Sequence, residues 1–510
     1  MALTLAELVA GHRPDADAIG APDRPWLDFG GLQALAETTR ASLNAMGIGR
    51  GDRVAIVLPN GPEMAACFIA VGSGATTAPL NPAYREDEFD FYLEDLQAKA
   101  LIAAADEEGA AVTVARRRGL PVVRLVHDPR GPAGAFTLRA EHAAGPATAS
   151  GALAGADDIA LVLHTSGTTS RPKIVPLSQR NLAASANHIG HTLALTPADR
   201  CLNVMPLFHI HGLIAAVLSS LAAGASICCT PGFNALRFFA WLDDIKPTWF
   251  TAVPTMHQAI LSRAERNPET LARAELRFIR SSSASLPPQV MIALEKTFGC
   301  PVIESYGMTE ATHQMASNPL PPLPRKPGSV GVEAGPAIRI ADPAEGFFLD
   351  QGGEGEVVIS GPNVTPGYEA NPDANAKAFF EHQEQRWFRT GDQGIIDAEG
   401  YLRITGRLKE IINRGGEKIS PLEVDEVLMD HPAIQQVVTF AMPHDKLGED
   451  VAAAVVLREG QTADERAIRD FAAKRLADFK VPRKIVILQE IPKGATGKMQ
   501  RIGLAQKLGL

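Results

Sequence analysis

Short apolar runs rich in branched residues recur along the chain: RVAIVLP (53–59), KALIAAA (99–105), PVVRLVH (121–127), ASICCTP (225–231) and PVIESYG (301–307). They alternate with longer stretches whose apolar positions follow a helical period, a pattern that predicts a parallel α/β sheet. From about Gly328 the pattern changes to short strands with glycine-rich turns, GSVGVEAGPAIRIAD, GEGEVVISGPN and GYLRITGR, which predicts a smaller β-rich subdomain over about 328–407. Beyond it come RLKEIINRGGEKISP, a helix over 422–430, the strands QQVVTFAMP and VAAAVVLRE, a helix over 463–476 and a basic C-terminal strand. That stretch has the size of one compact α+β domain, about 100 residues. The predicted division is therefore 1–407 and 408–510, with the connection at Leu408 and Lys409. The opening MALTLAELVAGHRPDADAIG reads as an amphipathic helix. The most apolar run, Leu213 to Cys229, is too short to cross a bilayer and carries Ser219, Ser220, Gly224 and Ser226, so it reads as a buried helix leading into a strand.

Composition narrows the class. A chain of 510 residues exceeds one ordinary domain. With 45% hydrophobic and 21% charged residues it falls among globular proteins, not disordered or membrane ones. A net charge of -9 without a local basic face argues against nucleic acid as a partner. Five cysteines without CxxC or Cys/His spacing suggest neither a disulfide framework nor a zinc site, and a reducing cytoplasm is the expected compartment. No basic segment precedes an apolar one at the start, and the final KLGL is not a peroxisomal address. No membrane partner is expected, and the working form is a monomer or homodimer.

Chemistry first shows at IALVLHTSGTTSRPKIVPLSQRNL, where an apolar strand precedes the loop Thr165–Lys173 and a helix follows from about Ser178. Gly167 lets such a loop curl so that backbone N–H groups and the hydroxyls of Ser166, Thr168 and Thr169 face phosphate oxygens, and Lys173 adds a positive charge. The flanking strand and helix and the Pro-Lys ending favour this reading over a flexible connector. The spacing is not that of a Walker A loop.

With this loop, YGMTE (Tyr306–Glu310), TGD (Thr390–Asp392), GRLKEIINRGGEKISP (Gly406–Pro421) and PKGATGKMQR (Pro492–Arg501) follow in order. From about Trp26 to its end the chain resembles the adenylate-forming superfamily: acyl-CoA synthetases, firefly-luciferase-like enzymes and peptide-synthetase adenylation domains. The resemblance implies a large N-terminal domain of parallel α/β subdomains plus the β-rich one, with a mobile α+β C-terminal domain. It implies an AMP-forming acid–thiol ligase using ATP, Mg²⁺ and CoA. Thr165, Ser166, Gly167, Thr168, Thr169, Lys173, Ser283, Ala284, Ser285, Glu304, Ser305, Tyr306, Gly307 and Met308 would bind the nucleotide. Tyr306 would lie on the adenine, Thr309 and Glu310 would reach the α-phosphate, and Thr169 and Glu310 would hold Mg²⁺, which prefers hard oxygen donors. Asp392, expected on a tight turn, would accept the ribose hydroxyls beside Arg407. Lys498 would hold the attacking carboxylate against the α-phosphate. Lys409 would be the hinge, and Gly415 and Gly416 would let a pantetheine arm pass close to backbone. Lys480, Arg483 or Lys484 would hold CoA phosphates, with a solvated basic strand end as the equal alternative.

The acid is read from the segments between these motifs. MPLFHIHG supplies Phe208, His209 and His211; FIRSSSASLPP supplies Arg280, Ser281, Ser282 and Ser283; MTEATHQM supplies His313. A tunnel for a fatty chain needs apolar walls. This set is polar and partly cationic, and suits a small acid whose second carboxylate needs donors. His209, His211, Ser282, Ser283 and His313 are the candidate substrate contacts, with His209 also a catalytic candidate. HTSGTTSRPK with Ser170, PLFHIHG and YGMTEATHQM look like the oxalyl-CoA synthetase group, with Ile174 departing from the glycine usual there. The expected activity is oxalate–CoA ligation. Malonate or another short- or medium-chain acid is the alternative within the class, and a carrier-protein-dependent adenylation domain is a further one. A non-catalytic nucleotide binder is the alternative outside it, against which Lys498, Glu310 and Asp392 count.

Overall fold

The computed structural model describes residues 2–141, 151–165, 172–493 and 499–510. Among them, two largely parallel sheets form the body of the molecule. The seven-stranded one runs Thr137–Ala140, Val122–Val126, Ala100–Ala104, Arg53–Val57, Thr76–Pro79, Ile159–His164, Ile174–Ser178. Its five inner strands are parallel, and each outer strand is antiparallel. The nine-stranded sheet has six parallel strands, from Val302–Met308 through Phe278–Ser281, Trp249–Ala252, Arg200–Asn203 and Ser226–Cys229 to Asp17–Gly20. The inner strands of both sheets read buried at nearly every position, as expected where helices cover both faces. Each apolar run singled out in the sequence is one of these strands.

The amphipathic start is shorter than its pattern predicts. Thr4 caps a helix of five residues, Leu5–Val9, and Gly11 at φ 79° turns the chain toward strand Asp17–Gly20, which pairs in parallel with Ser226–Cys229. Edge pairing on an existing sheet outweighs the helical period here. The run from Leu213 behaves as expected: a buried π-helical segment, His211–Leu218, passes through Ser219–Ala222 into strand Ser226–Cys229.

An antiparallel sheet of Ala337–Ala341, Gly355–Ser360, Gln385–Ile396, Phe379–His382 and Leu402–Arg407 follows. After residues 408–411 a further sheet forms from Ile412–Arg414, Glu417–Ile419, Ile434–His444, Gly448–Leu457 and Lys484–Leu488. Its two faces carry separate apolar clusters. Val437, Val451, Ala453 and Val455 meet helices Pro421–Met429 and Glu465–Ala473 on one face. Val438, Phe440, Ala452 and Ala454 meet Ile491, Met499 and Leu504 on the other. Among the described residues, contacts to the rest of the protein include two from the first face: Gln435 O accepts from Gln258 Nε2 at 3.2 Å, and Glu426 lies 3.8 Å from Arg403.

Candidate active site

Strands Phe278–Ser281 and Val302–Met308 lie side by side, with Ser281 opposite Glu304, and the candidate residues gather beyond their C-terminal ends. Ligands in open α/β sheets gather at such strand ends. Glu304, 3% exposed, accepts the backbone N–H of Leu286 at 2.8 Å and so fastens the Ser283–Ser285 turn. Burial pushes its carboxyl up to about 8. Tyr306 Oη donates to Asp392 Oδ2 at 2.5 Å, and Arg407 Nε donates to Asp392 Oδ1 at 2.7 Å. The expected tight turn at Asp392 is absent. Gly391, at φ 75°, lies inside the long strand Gln385–Ile396, and Asp392 pairs in register with Arg407 on the neighbouring strand. The glycine falls where the strand bulges against Gly355–Ser360, with Val358 opposite Arg389 and Glu356 opposite Gln393, and the carboxylate is presented from a sheet instead of a loop.

The mouth of the Thr165–Lys173 loop is closed by Thr165 N–H to Lys173 O at 3.0 Å and Lys173 N–H to Thr165 Oγ1 at 3.3 Å. Ser166, Gly167, Thr168, Thr169 and Ser170 lie outside the described residues, as does Lys498. Lys173 Nζ stands 4.2 Å from the centroid of the Tyr368 ring, and Tyr368 Oη donates to Glu310 Oε1 at 2.8 Å. Burial and then the charge of Lys409 lower the Lys173 ammonium from its ordinary value, with Glu310 opposing them. Lys173 thus lies within electrostatic reach of a second lysine and of a buried carboxylate. Glu310, 7% exposed with one oxygen held by a neutral hydroxyl, is a hard donor of the kind Mg²⁺ requires. Tyr368 was missed in the motifs; its only sequence signal is a Gly-Tyr pair closing NVTPGYE.

Thr309 and Glu310 form a 3₁₀ turn at the tip of a hairpin between Val302–Met308 and His313–Ser317. A Cβ on Gly307 would fall 1.8 Å from His313 O, so only glycine lets the two arms close. The closure brings His313 beside His211, ring centroids 5.1 Å apart and edge to face. His211, fully buried, places Nε2 2.6 Å from Thr251 Oγ1 and Nδ1 3.0 Å from Ser283 Oγ. All three polar groups sit on unusual backbone. His211 opens the π-helical segment, while Ser283 at φ 74° and His313 at φ 98° are left-handed non-glycine residues. Strained positions of this kind gather at functional sites. His209, two residues before His211, is half-buried, its carbonyl accepting Leu213 N–H at 3.1 Å. Ser282 is turned away from the histidines, its hydroxyl bonded to Ser305 O at 2.9 Å. Arg280 lies fully buried behind His313, with Nη2 3.3 Å from Gln314 Oε1 and 3.5 Å from His313 Nδ1. Thr251 and Gln314 carried no signal, because cross-strand neighbours are not visible along one chain.

The C-terminal candidates make their described contacts within their own unit. Gly415 and Gly416, at φ 59° and 102°, turn the hairpin Ile412–Ile419, with Gly415 N–H bonded to Leu447 O at 3.0 Å. Lys480 is paired with Glu423 at 2.6 Å, Lys484 with Glu465 at 2.8 Å, and Arg483 lies 3.8 Å from Asp450.

Residues 6–369 match the family described as AMP-binding enzyme, and residues 423–498 match the AMP-binding enzyme C-terminal domain. The chain is 45% identical to an oxalate–CoA ligase of Arabidopsis thaliana, over 98% of this chain and 97% of that protein. It is 36% identical to a sulfoacetate–CoA ligase of Cupriavidus necator, over 98% and 97%. Among solved structures, ATP-bound MatB from Rhodopseudomonas palustris superimposes with a TM-score of 0.87 at 29% identity, covering 99% of both chains.

Proposed function

The chain belongs to the AMP-binding enzyme family, and from that membership we propose that it activates oxalate with ATP and transfers the oxalyl group to CoA. It is an AMP-forming acyl-CoA synthetase, and its co-substrates are ATP, with Mg²⁺, and CoA. A free carboxylate is inert to a thiol because oxide would have to leave. Attack of a carboxylate oxygen on the ATP α-phosphorus, with the bond to pyrophosphate breaking, gives an acyl-adenylate. The CoA thiol then adds to the acyl carbon, its proton is lost, and AMP leaves. Such transfers need positioning and charge neutralisation more than a protein nucleophile.

In this reading Tyr306 covers the adenine, while Asp392 with Arg407 holds the ribose. Lys173 and the Thr165 loop take the phosphates. Glu310 and Thr169 would hold Mg²⁺, which would neutralise phosphate charge. Lys498 would bring the acid's carboxylate to the α-phosphorus. The flanks of that lysine, Lys493 and Met499, bridge to each other on the C-terminal sheet face opposite the one whose described contacts reach Gln258 and Arg403. That placement supports a rigid-body swing about Lys409 between the two half-reactions, with Gly415 and Gly416 serving the second. The five cysteines are free and buried, which supports a reducing compartment, the cytoplasm.

The observation that carries the substrate is the junction at the hairpin. Glu310 and His313 are three residues apart, and His313, His211 and Ser283 form a polar cluster beside them, which this reading takes as the wall of the acid pocket. Such a wall fits a short acid with a second anionic group and penalises a methylene chain. Pyrophosphate release with ATP, Mg²⁺ and CoA, measured as kcat/KM for oxalate, malonate, sulfoacetate, acetate and a medium-chain fatty acid, tests it. Oxalate is expected to lead. A preference for acetate or the fatty acid overturns the reading.

A further inference from the structure

Arg280 carries a charge that no described residue balances. It is fully buried on strand Phe278–Ser281, and Nε and Nη1 have no hydrogen-bond partner. Only Nη2 has contacts, both long, at 3.3 Å to Gln314 Oε1 and 3.5 Å to His313 Nδ1. Buried arginines that serve the fold alone have their donors satisfied and a carboxylate at hand. Here the one titratable neighbour that favours the charged form is the thiol of Cys201, itself held neutral by burial. Burial lowers the guanidinium to about 9, so it stays charged at neutral pH. His257, fully buried beside the Arg280 backbone, is pushed down to about 4 and adds no charge.

The contact with His313 has a definite sense. A guanidinium has donors only, so Nδ1 of the imidazole can meet it only as an acceptor, which leaves Nε2 to carry the ring proton in that contact. The contact suits an imidazole that donates through Nε2, with a cation behind it. Gln314 holds the arginine in place: its amide nitrogen is anchored to Thr192 Oγ1 at 3.1 Å and Ala334 O at 3.0 Å, which leaves the amide oxygen for Arg280.

We propose that Arg280 is the specificity-determining positioning residue of the acid pocket: a cation behind His313 whose balancing anion is the second acidic group of the substrate, acting through the imidazole without touching the acid. This rests on the acid-pocket reading given above. It assigns selection between doubly and singly anionic acids to a residue remote from open solvent.

The test compares wild type with R280M and R280K, reading kcat/KM for oxalate and for acetate by pyrophosphate release, together with the Tm of each free enzyme. R280M is expected to lower the oxalate-to-acetate ratio about 10- to 100-fold, the scale of a lost charge-assisted interaction. Its Tm should equal or exceed that of wild type, because methionine removes an uncompensated buried charge. R280K, which keeps the charge, should recover part of the ratio. A ratio unchanged in R280M overturns the proposal. So does a fall in Tm with both acids affected in parallel, or an R280M chain that fails to fold while R280K loses none of the ratio, since each marks a structural strut. If wild type itself does not prefer oxalate to acetate, the substrate reading fails first, visibly without either variant.

Discussion

Replacing Glu304 by glutamine should remove a large pH dependence of stability. The carboxyl is 3% exposed, and burial moves it from an ordinary 4.5 up to about 8. Between those values the native protein holds a proton that the unfolded chain has released, so stability falls by roughly 1.4 kcal/mol for each pH step upward. The contribution is fully present below about 4.5 and lost as pH rises through about 8, a total of roughly 5 kcal/mol to order of magnitude. Glutamine has the shape of the protonated acid and keeps an oxygen for Leu286 N–H, but does not titrate. Differential scanning fluorimetry of both proteins from pH 5 to 9 reads the effect, and subtraction cancels every other titrating group. The two Tm values should nearly coincide at pH 5, and E304Q should lead at pH 9 by on the order of 5 °C for a chain of this size. A difference that stays constant across the range refutes the reasoning, because it would mean that Glu304 is ionised in the native state at neutral pH.

Tyr368→Phe keeps the ring beneath Lys173 and loses the hydroxyl on Glu310, so kcat/KM for ATP should fall about 5- to 10-fold. Tyr368→Ala should fall further, and equal losses in the two variants would exclude a part for the ring. Gly307→Ala forces a Cβ to within 1.8 Å of His313 O, so the hairpin must open. Its Tm should fall, by a destabilisation of about 3 kcal/mol or more, with loss of turnover on every acid; an unchanged Tm would show that the hairpin adapts.

The strands of the two large sheets were legible because burial on both faces makes them continuous apolar runs, set off by helical periods. The order of the five motifs along the chain was equally plain. What escaped was set by pairing in space. Gly391 and Asp392 read as a turn, since nothing along the chain reveals that Leu402–Arg407 lies alongside and continues the ladder. Ser282 and Ser283 are neighbours of identical chemistry, and only the left-handed φ of Ser283 decides which hydroxyl meets His211. Arg280 read as one more polar residue of the pocket; its burial depends on His313–Ser317 folding back through Gly307, a non-local event.

The pairing of Asp392 with Arg407 also says where this protein can be cut and rejoined. Arg407 is the last residue of its strand, and the segment leading to the C-terminal sheet begins at Leu408. A chimera that takes its C-terminal portion from a relative keeps both halves of that carboxylate–guanidinium pair if the crossover falls after Arg407. A junction a few residues earlier splits the pair between parents. Recombination among relatives should therefore tolerate seams on the far side of Arg407 and reject those within Leu402–Arg407, whatever acid each parent uses.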